Sequence, residues 1–210
     1  MTDWYRRKSW TKKDEEEFFA KLGRARKNGR AQYLKIQAIE LIETKDEGLL
    51  NVAETLLNKV LTEYSEDRIE RSPVLNALGN IYKLRKKYEK SIDYYKQSLE
   101  FENEFPNVIT TSYLDFSELV VKTDKKESFD FTEKLLESKL DEQIFPFSKY
   151  KMCSVLSIIN SSMGNSDSAK YYAELADQNA KANTSGLRYH EQLGLVKERD
   201  SWLDQLMKRE

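Results

Sequence analysis

Leu75, Leu78, Gly79 and Tyr82, followed at set intervals by Ser91, Tyr95 and Ser98, restrict what this chain can fold into more than any other feature. Apolar positions three and four apart describe one face of a helix, and here two such faces follow each other within a few turns. Gly79 and Ser91 fall where two helix backbones must approach closely, so a larger side chain at either would push the helices apart. Leu156, Ser157, Asn160, Gly164, Ala169, Ala173 and Ala176 repeat the spacing further on. A two-helix unit used more than once reads as stacked helical hairpins. No stretch shows the period-two alternation of a half-buried strand.

Composition agrees with stacking. Of the 210 residues, 39% are hydrophobic and 34% charged, which is polar for a compact globule. Stacked hairpins tolerate this, because each helix buries one stripe against its neighbours and solvates the rest. The net charge of −1 leaves no global field to draw in nucleic acid. One cysteine, Cys153, excludes an internal disulfide, fits a reducing compartment and reads as a small buried hydrophobe. No apolar run follows Arg6, Arg7 and Lys8, and none of membrane-spanning length occurs, so the expectation is a cytoplasmic protein without a signal peptide.

Along the chain, residues 1–30 form an aromatic and basic segment with a capping helix. Thr11 and Asp14 supply its N-terminal cap, Phe18, Phe19, Leu22 and Ala25 its apolar stripe, and Asn28-Gly29 its stop. Repeats follow at about 31–66, 72–105, 110–141 and 150–183. Leu34, Gln37, Ala38 and Leu41, then Ala53, Leu57 and Val60, are the inner stripes of the first, with about three extra residues near Lys45 to Gly48. Tyr113, Phe116, Ser117 and Val120 define the first helix of the third repeat. The register of its second helix is ambiguous, and Phe131 and Leu135 are the expected core positions. Residues 184–210 read as a C-terminal cap ending in a short helix with Trp202, Leu203 and Leu206 inward, the whole forming a single continuous domain.

On these residues the chain resembles the tetratricopeptide-repeat (TPR) proteins, of the stand-alone bacterial type, over roughly residues 31–183. The resemblance implies an all-α fold: a right-handed α-solenoid of about four hairpins with extra N- and C-terminal helices. It also implies a protein or peptide partner held in a concave groove lined by the first helix of each pair. Carried over by position, the groove comprises Lys35, Ile36 and Ile39, then Asn76, Ala77, Asn80 and Lys83. Leu114, Asp115 and Glu118 follow, then Lys151, Val155 and Ile158. Asn76 and Asn80 lie four apart on one helix face, where paired amides either clamp an extended backbone or simply cover a solvated surface. One TPR variant grips a chaperone's C-terminal carboxylate; Asn80 and Lys151 match its pattern, but Asp115 would repel that carboxylate.

No catalytic constellation is expected. His190 is the one histidine, with no Asp or Cys close in sequence, so neither an acid–base triad nor a zinc site can be built. No glycine-rich phosphate loop and no cofactor motif occur. The leading reading is a scaffold binding a protein segment in the groove. Behind it stands a regulator responsive to a peptide or small molecule, then a nucleic-acid-associated protein using Trp4, Tyr5, Arg6, Arg7, Lys8 and Trp10, for which capping the stack is the favoured alternative. Self-association through Tyr94 or the aromatic N-terminus, as a homodimer, stays open.

Overall fold

The computed structural model describes residues 3–207. The described residues form ten α-helices and no strand: α1 (Lys12–Arg24), α2 (Arg30–Ile42), α3 (Glu47–Glu63), α4 (Arg68–Leu84), α5 (Tyr88–Glu104), α6 (Ser112–Lys122), α7 (Phe129–Leu140), α8 (Pro146–Ser162), α9 (Ser166–Ala180) and α10 (Ser201–Met207). None is long and apolar enough to cross a membrane. The chain divides between Ser112 and Tyr113 into two compact units.

Unit 1 begins with a capped helix. The Asp14 amide donates to Thr11 Oγ1 at 3.2 Å, and the Thr11 amide donates back to the Asp14 carboxylate at 2.8 Å. These bonds, the Thr11 backbone one foremost, lower the Asp14 pKa to about 2. Helix α1 ends at Arg24 rather than at Asn28-Gly29. The Arg30 guanidinium explains the early stop: it reaches back to the Gly23 and Ala25 carbonyls at 2.6 and 3.1 Å, satisfying acceptors that another turn would otherwise use. Phe18 and Leu22 face inward and join Leu34, Ala38, Leu41, Ala53, Leu57, Val60 and Leu78 in one core.

Helices α2 and α3, and α4 and α5, pack as antiparallel hairpins, and α2 also touches α4. Helix α4 starts at Arg68, four residues before the expected Ser72, because the Asp67 carboxylate accepts the Ile69 and Glu70 amides. Pro73 therefore lies inside the helix and has no N–H for the Ile69 carbonyl; Ile69 is exposed, so water can serve it. Further on, a Cβ on Gly79 would overlap the Tyr95 ring, and Ser91 Oγ donates to the Gly79 carbonyl at 2.8 Å. The buried Glu102 carboxylate then fastens the chain leaving α5, accepting from Ser72 Oγ at 2.8 Å, the Thr110 amide at 3.0 Å and Thr110 Oγ1 at 2.6 Å.

In unit 2, α8 and α9 form the corresponding hairpin, with Ser157 Oγ donating to the Ala169 carbonyl at 2.9 Å. Helix α8 starts at Pro146, which fits a first helical position where no amide donor is needed. Helix α7 corrects the sequence reading. Phe131 is 51% exposed and Leu135 only half-buried, while Phe129, Thr132 and Leu136 face the core. The reason lies twelve residues after Ser117. Gly79 and Ser157 are each followed at that distance by a small residue, but Ser117 is followed by Phe129, whose ring takes the inner position. Phe131 lies edge-on to Phe116, with ring centroids 5.7 Å apart.

Residues 182–200 carry no helix, and α10 docks on α8. Leu203 is fully buried, Trp202 and Leu206 are half-buried, and Lys208 of the expected terminal helix lies outside the described residues. The Tyr150 hydroxyl accepts the Asp200 amide at 3.0 Å and donates to Asp204 at 3.1 Å. Burial, reinforced by Asp204, pushes its pKa up to about 12. Cys153 is buried beside it, and burial pushes the thiol up to about 11.

Candidate functional site

Helices α2 and α4 run side by side in unit 1, and the faces they share with solvent enclose a cavity of about 510 Å³. Residues four and seven apart on α2 put Lys35, Ile39 and Ile42 on one wall. Pro73, Asn76, Ala77, Asn80, Lys83 and Leu84 form the α4 wall, and Glu43, Lys45 and Thr110 complete the rim. The volume is in the range that holds several side chains of a ligand. Six positions carried over from the sequence, Lys35, Ile39, Asn76, Ala77, Asn80 and Lys83, thus meet at one site. Ile39 and Leu84 remain 38% and 39% exposed, so the apolar floor faces water.

The polar groups of this site are largely committed within the protein. Lys35 Nζ lies 2.5 Å from the buried Glu70 carboxylate, an ion contact outside hydrogen-bond alignment. Asn80 Oδ1 accepts from the Tyr95 hydroxyl at 2.7 Å, and its amide donates to Asn76 Oδ1 at 3.4 Å. Asn76 in turn donates to Ser112 Oγ at 2.9 Å. Each primary amide has two N–H groups, so each asparagine keeps one beyond these bonds. The pair is a support for the Tyr95 ring as well as a lining of the cavity.

The positions in unit 2 are arranged differently. Glu118 is 6% exposed and binds Lys151 at 2.6 Å, and Lys151 also reaches Asp200 at 3.1 Å. Burial works against the Lys151 charge, but these two carboxylates outweigh it and its pKa is raised. Val155 and Leu114, expected on the groove surface, are instead buried at 0% and 7%, as suits their aliphatic side chains. Asp115 and Ile158 are half-buried.

The N-terminal segment is strapped onto unit 1. Gln37, fully buried, accepts the Arg7 amide at 3.0 Å and donates to the Arg7 carbonyl at 2.7 Å. Trp4 packs on Phe18 and Tyr33, and Trp10 on Phe18. Arg6 pairs with Glu40 at 2.8 Å, Arg7 with Asp14 and Glu17 at 2.5 and 2.7 Å, and Lys8 with Glu43 at 3.1 Å. Tyr94, expected exposed, is half-buried and stacked on Tyr82 with centroids 5.4 Å apart. His190 is exposed on the irregular segment, and no group of three or more His, Cys, Asp or Glu that could hold a metal ion occurs among the described residues.

Sequence reasoning missed Ile42, Glu43, Lys45, Pro73, Leu84 and Thr110. Ile42 and Leu84 were within reach, since each continues the spacing of Ile39 and Asn80 by one turn. Comparison of the chain with protein-family models, curated proteins and solved structures finds no match.

Proposed function

We propose that this chain is a TPR-type helical-repeat protein that binds a segment of another protein against α2 and α4. One observation carries the reading: an apolar floor of Ile39, Ile42 and Leu84, over buried Ala77, stays open to solvent between two helices that the repeat positions nominate for binding. The hairpins support it, since Gly79 with Ser91 and Ser157 with Ala169 bring paired helices together at the same spacing. The aliphatic side chains and internally bonded amides of the site support a binding role.

The nucleic-acid reading loses support because Arg6, Arg7 and Lys8 each face a carboxylate and the flanking rings of Trp4, Tyr5 and Trp10 pack on Phe18 and Tyr33. A chaperone-tail clamp is disfavoured likewise, with Lys151 already neutralised by Glu118 and Asp200. The test is a photo-crosslinking residue introduced in place of Ile39 or, as control, Ile158, in cells that make the protein. A single polypeptide segment crosslinked from position 39 and not from 158 supports the proposal. Crosslinks from 158 alone, or from neither position, refute it.

A further inference from the structure

Resting on that groove, we infer that its occupant is a peptide segment whose apolar side chains fill the cavity and whose acidic residues lie toward the end of the groove nearest Lys45, Lys83, Lys86 and Lys87.

The cavity is electrostatically lopsided along its length. At the end where α4 begins, Lys35 is neutralised by the buried Glu70. At the other end Lys45 and Lys83 line the rim, and Lys86 and Lys87 follow in the next turn. The Arg85 guanidinium draws the two turns together, bonding Glu47 at 2.7 Å and Asn51 at 2.5 Å across from the start of α3. Nearby carboxylates are already engaged: Glu47 and Glu54 on Arg85, Glu43 on Lys8, and Asp46 on the Leu49 amide as the cap of α3. The exposed ammonium groups of Lys45, Lys86 and Lys87 pair with none of them.

Backbone conformation marks the same lysines. Lys45 has φ 58° and Lys86 φ 57°, in the left-handed region where glycine costs least. Gly164 closes α8 with φ 82° by the same pair of backbone bonds that closes α4 at Lys86. A lysine in such a turn trades stability for a charge at a fixed place; Lys45 does so on the cavity rim and Lys86 two residues beyond the lining Leu84. Aliphatic Ile39, Ile42 and Leu84 beside the cations favour a peptide over a nucleic acid, because bases need flat rings on which to stack.

The probe is a random dodecapeptide phage library selected on the full chain, alongside the variants Lys45→Gly/Lys86→Gly/Lys87→Gln and Ile39→Glu. Glycine suits both left-handed turns, so the triple variant loses charge without losing its fold. The wild type is expected to enrich peptides with apolar residues and an acidic flank. Their affinity should fall about tenfold in the triple variant, in line with three exposed charge contacts. Enrichment of apolar peptides with no acidic preference overturns the inference and leaves the groove intact. Enrichment unaffected by Ile39→Glu removes the groove as well. Tighter binding of oligouridine than of the selected peptides, lost in the triple variant, assigns the lysines to nucleic acid and overturns the inference.

Discussion

The first helices of the hairpins present the same kind of position in the two units, yet to opposite effect. In unit 1, Ile39 and Leu84 stay exposed over a cavity, and the exposed Lys45, Lys86 and Lys87 stand toward one end of it. In unit 2, Glu118 and Lys151 are buried against each other and Asp200 supplies a second carboxylate. In unit 2 the irregular segment before α10 brings Asp200 to Lys151. A positional rule for a repeat therefore locates a surface without saying whether the rest of the chain has already filled it.

The sharpest way to break this contrast is to destroy the scaffold of unit 1 alone. Gly79→Val drives a branched side chain into the buried Tyr95 ring and should destabilise unit 1 by about 3 kcal/mol, read by chemical denaturation. The Trp202 environment in unit 2 should not change until higher denaturant concentration. In unit 2 the matching blow is to the ion pair. Glu118→Gln removes one of two acidic partners from Lys151 and should cost about 2 kcal/mol, less than full loss because Asp200 remains.

Lys151 also has a pH signature. Its pKa is raised in the folded chain, so its contribution is fully present below the ordinary value of 10.5 and is lost as pH rises through the folded value. Alkali should therefore weaken unit 2 of the wild type more than unit 2 of Glu118→Gln, read at Trp202. Acid works the other way at the first helix. Asp14 ionises near 2 rather than 3.8, so its stabilisation is present above 3.8 and disappears as pH falls through about 2. Asp14→Asn should remove that acid transition, read by helical signal between those values.

The smallest expected effect has the opposite sign. Lys86→Gly relieves a left-handed lysine and should stabilise unit 1 by about 0.5–1 kcal/mol after the extra freedom of the unfolded chain is counted. Gly164→Lys should destabilise the α8–α9 hairpin by a comparable amount, since the turn geometry is the same. Midpoints of thermal unfolding for the two variants check both.

Much of this architecture is legible without coordinates where physics leaves one choice. Gly79 and Ser91 announce a close helix crossing because nothing larger fits, and Thr11 with Asp14 announces a helix start because both side chains are needed for the cap. Helix α7 was not legible for the same reason in reverse. With Phe129 where a small residue marks the crossing, the sequence holds two equally apolar phenylalanines two apart on opposite faces. Buried Ser128 and Thr132, though polar, identify the inward side. The early start of α4 was masked by Pro73, which reads as a helix beginning although Asp67 had already capped one. The cationic end of the groove was invisible because its turns carry lysine at angles that normally call for glycine. Asp200, more than thirty residues from any groove position, gave no sign that it would close the face of α8.

The contrast between open and filled faces is tested most directly by nuclear magnetic resonance of the isotope-labelled full chain titrated with the tightest selected dodecapeptide. The account predicts shifts of the Ile39, Ile42, Ala77 and Leu84 signals that saturate together, with Asp115, Glu118 and Ile158 unmoved. Saturating shifts at Asp115 and Ile158, with α2 and α4 silent, would contradict it.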